Sequence, residues 1–131
     1  ASYQLGTKEL LTRIIVPPMR SAQGWAYKKL KITTGSYSSA NAVAIVDSAE
    51  GLNVRLVVGA VTELPIDLTE SLAAQMKSSP NSELDVQIET ACNAAVTDPI
   101  SDQRGHGEYR KAMAGVVAKR AVNAAIEKLE A

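Results

Sequence analysis

The order in which strand and helix patterns follow one another is what most limits the folds open to this chain. Alternating and β-branched runs, typical of strands, fill the first half at residues 25–33, 42–46 and 52–61. The second half carries apolar residues at spacings of three and four, as helices do. Because the two patterns do not alternate, the chain predicts an α+β fold: an antiparallel sheet of three or four strands with about three helices packed on one face.

Two of these runs predict a hairpin, which is the best-defined unit of the sequence. The strands 42–46 and 52–61 are joined by the turn Asp47–Gly51. In the strand before them, alternation places Trp25, Tyr27, Lys29 and Lys31 on one face of the sheet. Ala26, Lys28, Leu30 and Ile32 share the other face.

The N-terminal residues carry a weaker pattern. Gly6 or Thr7 can begin a short helical turn over residues 7–10, and the β-branched run 14–16 predicts an extended segment behind it. The pair Pro17-Pro18 ends that segment, because proline offers no N–H to a strand ladder.

Three segments predict helices. Asp67–Glu70 can cap a helix over 70–76, Ser82 can cap another through about residue 96, and the third covers about residues 107–130. The predicted core-facing residues are Leu84, Ile88, Ala91 and Ala95 in the second helix, and Tyr109, Met113, Val116, Val117, Ala121 and Ala124 in the third. Gly115 permits a close approach of the third helix to the sheet or to a neighbouring helix.

Composition and charge narrow the class of protein. The chain has 131 residues, enough for one domain with its own core, which we place at 1–131. Lys+Arg and Asp+Glu both number 14, and a formal net charge of zero argues against nucleic acid or an anionic membrane as the main partner. One cysteine and the lack of an apolar run of transmembrane length favour a cytoplasmic protein.

Residues that could carry chemistry are few. His106 is the sole histidine and has no orienting partner in the sequence, so we interpret it as a surface residue near a helix start. Cys92 lies among apolar helix positions and is interpreted as a buried small hydrophobe rather than a reactive thiol. Neither a dinucleotide-binding glycine pattern nor a P-loop occurs in the sequence. We therefore predict no catalytic residue and no metal site.

A charged run, Asp102, Arg104, Glu108 and Arg110, leads into the last helix. It is open to two interpretations. One is a charged active site. The other is structural: Asp102 and Arg104 pair in the turn, and Glu108 adds favourable charge at the helix start. The structural interpretation is favoured, because a turn that fixes a helix needs such contacts in any protein.

The lysines of the first strand are open to two interpretations as well. Lys28, Lys29 and Lys31 can form an anion-binding rim. By default they are exposed charges that prevent strand-to-strand aggregation.

Four blocks of the sequence resemble one protein family. Residues 101–110 (SDQRGHGEYR), with an apolar helix and Arg120-Ala121 behind them, resemble the SDxRxSxEYR … RA signature of the FAD subunits of molybdenum hydroxylases, the flavoproteins of the carbon monoxide dehydrogenase and xanthine dehydrogenase group. Residues 9–17 (ELLTRIIVP) resemble the family's E-I/L-L-x-x-I-x-I/V-P segment. Residues 25–29 (WAYKK) resemble its aromatic-K/R-K strand, and 55–61 (RLVVGAV) its R-x-x-x-G-G-V strand. The blocks follow the family order.

This resemblance implies the C-terminal domain of such an FAD subunit. In the family a glycine-rich FAD-binding region lies N-terminal to this domain, and residues 1–17 are expected to be the join to that region, which is absent from this sequence. The domain is expected to cover the flavin-ring side and to pack against the iron–sulfur subunit, with the molybdopterin subunit in the same complex. FAD is the implied cofactor of the intact subunit. The domain alone is expected to bind FAD weakly or not at all, and not to be catalytic.

Three cofactor-binding residues are implied by the same resemblance. Leu11 matches an apolar contact or backbone donor to the flavin ring, and Glu9 a polar group that supports it. Lys28 matches a basic residue near the pyrimidine edge, where a cation stabilises the negative charge of a reduced flavin. A purely structural role stays open for each.

The chain also departs from the family pattern. In the loop 33–39 (TTGSYSS), relatives often carry arginines and an aspartate. His106 replaces a small hydroxyl residue, so the last helix is expected to lose a good cap.

Two further functions stay open from the sequence. One is a stand-alone protein-interaction module that reuses this fold without redox activity, and the other is a small-ligand-binding domain. A glycine-rich FAD region in the neighbouring sequence would decide for the flavoprotein.

Overall fold

In the computed structural model, which describes residues 5–129, the chain contains four strands and three helices. In chain order they are β1 (Gln23–Leu30), β2 (Ala40–Asp47), β3 (Asn53–Gly59), β4 (Ile66–Asp67), α1 (Thr69–Ser78), α2 (Leu84–Ala95) and α3 (Gly107–Glu127). The strands precede all three helices, which confirms the predicted α+β class.

The sheet is an antiparallel meander in the order β1-β2-β3-β4. The predicted hairpin is confirmed: β2 and β3 pair without a register break, from Asn41 opposite Gly59 to Asp47 opposite Asn53. Strand β4 has two residues and pairs with the end of β3. A strand this short leaves no alternation in the sequence by which it could be predicted.

One face of the sheet is buried beneath the helices. The residues that line it are small on β2 and larger on β3: Ala40, Ala42, Ala44, Val46, Val54, Leu56 and Val58. Helix α3 packs across β1 and β2, α2 packs on α3, and α1 packs on α2 and β3. Each larger apolar side chain buried in this way contributes about 1.5–3 kcal/mol.

The opposite face of the sheet is open. Trp25, Tyr27, Val43 and Val57 have 37–50% of their surface exposed. The predicted alternation of β1 holds around Ala26, which is buried on the helix side between the two aromatic residues, but not beyond, since Lys28 is exposed and Leu30 is only partly buried. An apolar patch on a sheet face is typical of a contact surface.

The buried stripe of α3 differs from the predicted one. Val117 and Ala121 are buried as predicted, but Tyr109 is exposed and Met113 and Val116 are only partly buried. Ala124 is likewise only partly buried. The buried residues are Gly107, Arg110, Ala114, Gly115, Val117, Ala118, Ala121, Val122 and Ala125. The stripe is rotated because the small residues of α3, rather than its large ones, meet the alanine-rich face of β2.

Two helix starts differ from the capping predictions. Ser82 does not cap α2; its carbonyl accepts a hydrogen bond from Gln87 Nε2 at 3.2 Å. At α3, His106 occupies the N-cap position without a side-chain hydrogen bond. The N–H of Gly107 instead donates to Ser101 Oγ at 2.8 Å. A hydroxyl from the preceding turn therefore supplies the cap expected to be lost.

Other boundaries lie within a few residues of the predicted ones. At α1 the N-cap position is Leu68, which has no side-chain hydrogen bond, and of the predicted cap residues Asp67 contributes, since the N–H of Thr69 donates to Asp67 Oδ1 at 2.9 Å. Strand β1 ends at Leu30 rather than residue 33. Helix α3 ends at Glu127, and residue 130, included in the predicted helix, lies outside the described residues.

The segment before β1 is exposed from residue 5 to residue 21. Where a helical turn is predicted, a single turn is found, with the N–H of Glu9 bonded to the Gly6 carbonyl at 3.0 Å. Residues 9–20 form neither helix nor strand. Residues 1–4 of the predicted join lie outside the described residues.

Candidate functional site

The end of the sheet where β2 begins and β3 ends is organised by one buried arginine. Arg110, in the first turn of α3, has 1% of its surface exposed. Burying a guanidinium is costly unless its N–H groups find acceptors. The acceptors that Arg110 finds therefore determine how the chain is held together at this end of the domain.

Arg110 binds three backbone carbonyls and one carboxylate. Its Nη1 donates to the carbonyls of Ser39, at 3.0 Å, and Ala60. Its Nε donates to the Gly105 carbonyl at 3.2 Å, and its Nη2 donates to the Asp102 carboxylate. These partners belong to the start of β2, the segment after β3 and the turn before α3. One side chain thus ties three separate parts of the chain together.

Ala60 adopts a backbone conformation that alanine seldom takes. Its φ of +66° lies in the left-handed region. That region costs about 1–2 kcal/mol for a residue with a β-carbon. The family motif R-x-x-x-G-G-V, which residues 55–61 resemble, has glycine at this position. The chain therefore keeps the turn that presents the Ala60 carbonyl to Arg110, although its residue there is not suited to it.

Asp102 is the carboxylate of this cluster. Its Oδ1 accepts the backbone N–H of Arg104 at 2.7 Å, and its Oδ2 accepts Arg104 Nε at 3.1 Å. The first of these hydrogen bonds is the main reason that the pKa of Asp102 lies below its ordinary value, and the Arg110 and Arg104 side chains lower it further. The predicted pairing of Asp102 with Arg104 is confirmed, and Glu108 lies exposed in the first turn of α3.

An exposed aromatic ring stands beside this turn. Tyr37, in the loop between β1 and β2, is 78% exposed, and the guanidinium carbon of Arg104 lies 5.3 Å from its ring centroid. Two residues farther on, Ser39 Oγ donates to the Arg104 carbonyl at 2.7 Å. The surface thus presents a planar cation within cation–π distance of a phenol ring, an arrangement suited to planar or anionic groups.

The three residues implied as flavin contacts all lie at the surface. Glu9 Oε2 accepts the N–H of Gly6 at 2.8 Å, and Leu11 is 60% exposed. Lys28 is exposed on β1, at the edge of the sheet. Within residues 5–129, neither a hydrogen bond nor an ion pair joins any two of the three. The structure therefore leaves them as separate surface positions.

The two remaining candidates for chemistry behave as predicted. Cys92 is fully buried in α2, and its burial, with the nearby Glu89 carboxylate, raises the pKa of the thiol to about 12. His106 is exposed at the start of α3. Among the described residues, no group of three or more His, Cys, Asp or Glu could hold a metal ion. None of the helices in that part of the chain has both the length and the apolar character to cross a membrane.

The comparison with known proteins identifies the family. A family model described as the CO dehydrogenase flavoprotein C-terminal domain matches residues 25–125. The carbon monoxide dehydrogenase medium chain of Hydrogenophaga pseudoflava is 30% identical over 122 residues, which are 92% of this chain and 42% of that one. The medium chain of Afipia carboxidovorans is 37% identical over 122 residues, covering 89% of this chain and 41% of the relative. The chain thus spans about two fifths of the length of these relatives.

Solved structures show the same likeness. Carbon monoxide dehydrogenase from Hydrogenophaga pseudoflava, in a form that lacks the Mo-pyranopterin moiety, superposes with a TM-score of 0.71 at 30% identity, over 86% of this chain and 40% of that one. Quinoline 2-oxidoreductase from Pseudomonas putida 86 gives a TM-score of 0.63 at 20% identity, over 84% of this chain and 39% of that one, which is a likeness of fold alone. With its sheet, its three helices and the matched range 25–125, this chain belongs to the CO dehydrogenase flavoprotein C-terminal domain family.

Proposed function

We propose that this chain acts as the C-terminal domain of the FAD subunit of a molybdenum-hydroxylase-type oxidoreductase. In that role it covers the flavin-ring side of the subunit and packs against the iron–sulfur subunit, so that it helps to frame the path of electrons to the flavin. The family assignment supports the class of enzyme. The domain itself contributes surface and position rather than a catalytic residue.

One observation carries the proposal: a run of large aliphatic side chains that the described residues leave uncovered. Leu10, Leu11, Ile14, Ile15 and Val16 are 60–82% exposed. Such a run favours aggregation unless another surface covers it. The relatives are more than twice as long as this chain, so an FAD-binding region of the same subunit is the covering surface that we propose. Residues 1–17 are then the join between that region and this domain.

The residues present fit one edge of a flavin site. Lys28 is an exposed cation without an ion pair in residues 5–129, which suits the negative charge of a reduced flavin. Leu11 and Glu9 lie on the uncovered segment, where Leu11 is proposed to contact the ring and Glu9 to support that contact. FAD, when bound, supplies the electron-accepting ring. The grip on its pyrophosphate is assigned to the FAD-binding region, because this sequence has no phosphate-binding glycine loop.

The remaining parts of the proposal concern partners and compartment. The iron–sulfur and molybdopterin subunits of the same complex are the proposed partners, and neither nucleic acid nor a membrane is. The formal net charge of zero supports this. The single cysteine, Cys92, supports a cytoplasmic location.

Flavin fluorescence tests the proposal in two steps. The 131-residue chain titrated with FAD should leave the flavin fluorescence unchanged, and tight stoichiometric binding would overturn the domain interpretation. The chain is then mixed with FAD and the part of the Hydrogenophaga medium chain outside the match. Co-elution of both polypeptides with flavin is expected. Leu11→Asp should prevent it, while Leu64→Asp, at an exposed loop position, should not.

The open sheet face favours a second candidate, a stand-alone interaction module without redox activity. Trp25 and Tyr27 are half exposed there beside Val43 and Val57. In that case the chain captures a protein partner in the absence of flavin, and no FAD-binding region is encoded next to it. The neighbouring sequence separates the two candidates.

A further inference from the structure

A groove lies at the other end of the sheet from Arg110, between the edge of β3 and helix α1. It encloses about 460 Å³ and is bordered by the strand ends near Asp47 and Asn53. The partners of Arg110 on the sheet, Ser39 and Ala60, adjoin the opposite strand ends. The groove is therefore separate from the Arg110 cluster. Its lining also contains none of Glu9, Leu11 and Lys28, so a ligand bound in it does not use the proposed flavin contacts.

The wall of the groove formed by β3 is a free strand edge. Strand β4 covers only the end of β3, at Val57 and Val58. The N–H of Leu56 donates to Thr69 Oγ1 at 3.3 Å, and its carbonyl accepts the N–H of Leu68 at 2.8 Å, so both groups of Leu56 face this edge. The backbone groups of alternate residues in a strand point the same way, and β3 has no register break. The N–H and carbonyl of the residue two positions earlier must then face the groove.

That residue is Val54, and neither of these backbone groups has a hydrogen-bond partner in residues 5–129. Its side chain is buried, with 6% of the residue exposed, so the unpaired groups lie against an apolar wall. One donor and one acceptor side by side on a strand edge are the complement of a peptide backbone. A free carboxylate satisfies the donor alone.

The opposite wall of the groove accepts an apolar side chain. Ala73 and Met76 of α1 line it, and Leu52 closes its end. Ala73 leaves room above the strand edge because its side chain is one methyl group. A strand laid along β3 points every second side chain into this space.

The charges around the groove are unbalanced. Arg20 is paired with Asp47, which also accepts Gln23 Nε2 at 2.8 Å. Arg55 and Lys77 also line the groove, and neither forms an ion pair in the described part of the chain. Three cations and one carboxylate thus line the groove, and this excess of positive charge attracts a negatively charged occupant.

We propose that this groove binds an extended segment of a partner protein, in which aliphatic residues alternate with acidic ones. The segment adds a short strand to the free edge of β3. Its backbone pairs with Val54, an aliphatic side chain enters beside Ala73, and its carboxylates lie on the opposite face of the strand with Arg55, while Lys77 adds positive charge at the rim of the groove.

The probe is a synthetic peptide, acetyl-Glu-Val-Glu-Val-Glu-amide, titrated into the ¹⁵N-labelled 131-residue chain. The Val54 amide resonance should move downfield as its N–H gains an acceptor, with a Kd of about 1 mM or tighter. Two control compounds are titrated in the same way. The analogue with lysine in place of glutamate tests the role of charge, and octanoate tests whether an apolar carboxylate without a peptide backbone is sufficient. The proposal is overturned if Val54 does not move, or if octanoate or the lysine peptide moves it equally.

Variants separate specific docking from general attraction. Arg55→Glu with Lys77→Glu should weaken binding by about tenfold or more. Ala73→Trp should fill the groove and abolish binding. Arg120→Glu, an exposed charge on α3, removes the same kind of charge elsewhere and should leave the Kd unchanged. An equal loss in Arg120→Glu, or full binding in Ala73→Trp with its NMR spectrum otherwise intact, would overturn the proposed site.

Discussion

The carbonyl oxygen of Ala125 lies 2.0 Å from the place that a β-carbon on Gly24 would occupy. Strand β1 and helix α3 therefore meet backbone to backbone at this point, which only a residue without a side chain allows. Gly115, for which the sequence predicts a close approach, faces Glu89 of α2 at ordinary contact distances of 3.6 Å or more. The close approach is made by Gly24 instead.

These two glycines should respond in opposite ways to alanine. Gly24→Ala forces α3 away from β1 and should lower the free energy of unfolding by about 1–3 kcal/mol. Gly115→Ala has room for its methyl group and removes a helix-weakening residue, so it should raise that free energy by about 0.5–1 kcal/mol. Urea unfolding measures both. A loss of stability in both variants would show that α2 and α3 pack more tightly than these contact distances indicate.

The left-handed residue after β3 predicts a stabilising substitution. Ala60→Gly removes a conformational cost of about 1–2 kcal/mol, offset in part by the greater freedom of glycine in the unfolded chain. A net gain of about 1 kcal/mol is expected in thermal or urea unfolding. Ala112→Gly, at an exposed position within α3, is the matched control and should cost about 1 kcal/mol. If both changes destabilise the protein equally, the backbone of Ala60 is not under strain.

Removing the buried guanidinium should destabilise the whole domain. Arg110→Met leaves the carbonyls of Ser39 and Ala60 without their donor, while the Gly105 carbonyl keeps the N–H of Asp102, and the expected cost is about 3–5 kcal/mol. Arg110→Lys should recover little, because one ammonium cannot reach acceptors on several sides. Arg120→Met, on the exposed side of the same helix, should change stability by about 0.5 kcal/mol or less. Comparable melting temperatures for the two methionine variants would refute the role of Arg110.

Acid should weaken the turn before α3 through Asp102. The pKa of Asp102 is lowered in the folded state, chiefly by the Arg104 backbone N–H, so its contribution to stability is complete above its unfolded pKa of about 3.9. That contribution is lost as the pH falls through the lower, folded pKa. The stability difference between the wild type and Asp102→Asn should therefore shrink below about pH 4. A difference that stays constant down to pH 2 would contradict this, and Asp98→Asn serves as the control.

Lys28 can be tested only in an FAD subunit that contains this chain. If Lys28 lies near the flavin, Lys28→Met removes a charge that favours the reduced form and should lower the reduction potential. An effect equivalent to one pKa unit is about 30 mV for a two-electron couple. Lys77→Met removes a lysine from the far end of the sheet and should leave the potential unaltered. An unchanged potential in a Lys28→Met subunit with full flavin content would mean that Lys28 is an exposed strand residue only.

The sequence predicted best those elements that are determined by residues close to one another in the chain. The β2–β3 hairpin was predictable because its two strands and its turn, Asp47–Gly51, lie in one continuous stretch of the sequence. The phase of α3 was not, because it depends on alanines of β2 that are distant in the sequence. Strand β4 depends on the edge of β3 in the same way.

The organising role of Arg110 was missed for a related reason. Arginine on a helix is ordinarily exposed, and the acceptors that allow its burial come from two distant segments, at Ser39 and Ala60, and from Asp102 in the turn before α3. The signature that residues 101–110 resemble contains both the aspartate and the final arginine, and their pairing was the available clue. For the implied flavin contacts, Glu9, Leu11 and Lys28, the structure gives three surface positions. Within residues 5–129 no hydrogen bond or ion pair joins them into one site.

The strand order of the sheet has a consequence for synthesis. Each strand pairs with its neighbour in the chain, so the meander can close as soon as Asp67 has emerged from the ribosome. Helix α3, which covers β1 and β2, is translated last among the described elements. At about 5–20 residues per second, several seconds pass before α3 is complete, and until then Val46 of β2 faces water. Because β2 lines this face with alanines, the face exposes less apolar surface in that interval than larger side chains would, and so has less tendency to aggregate.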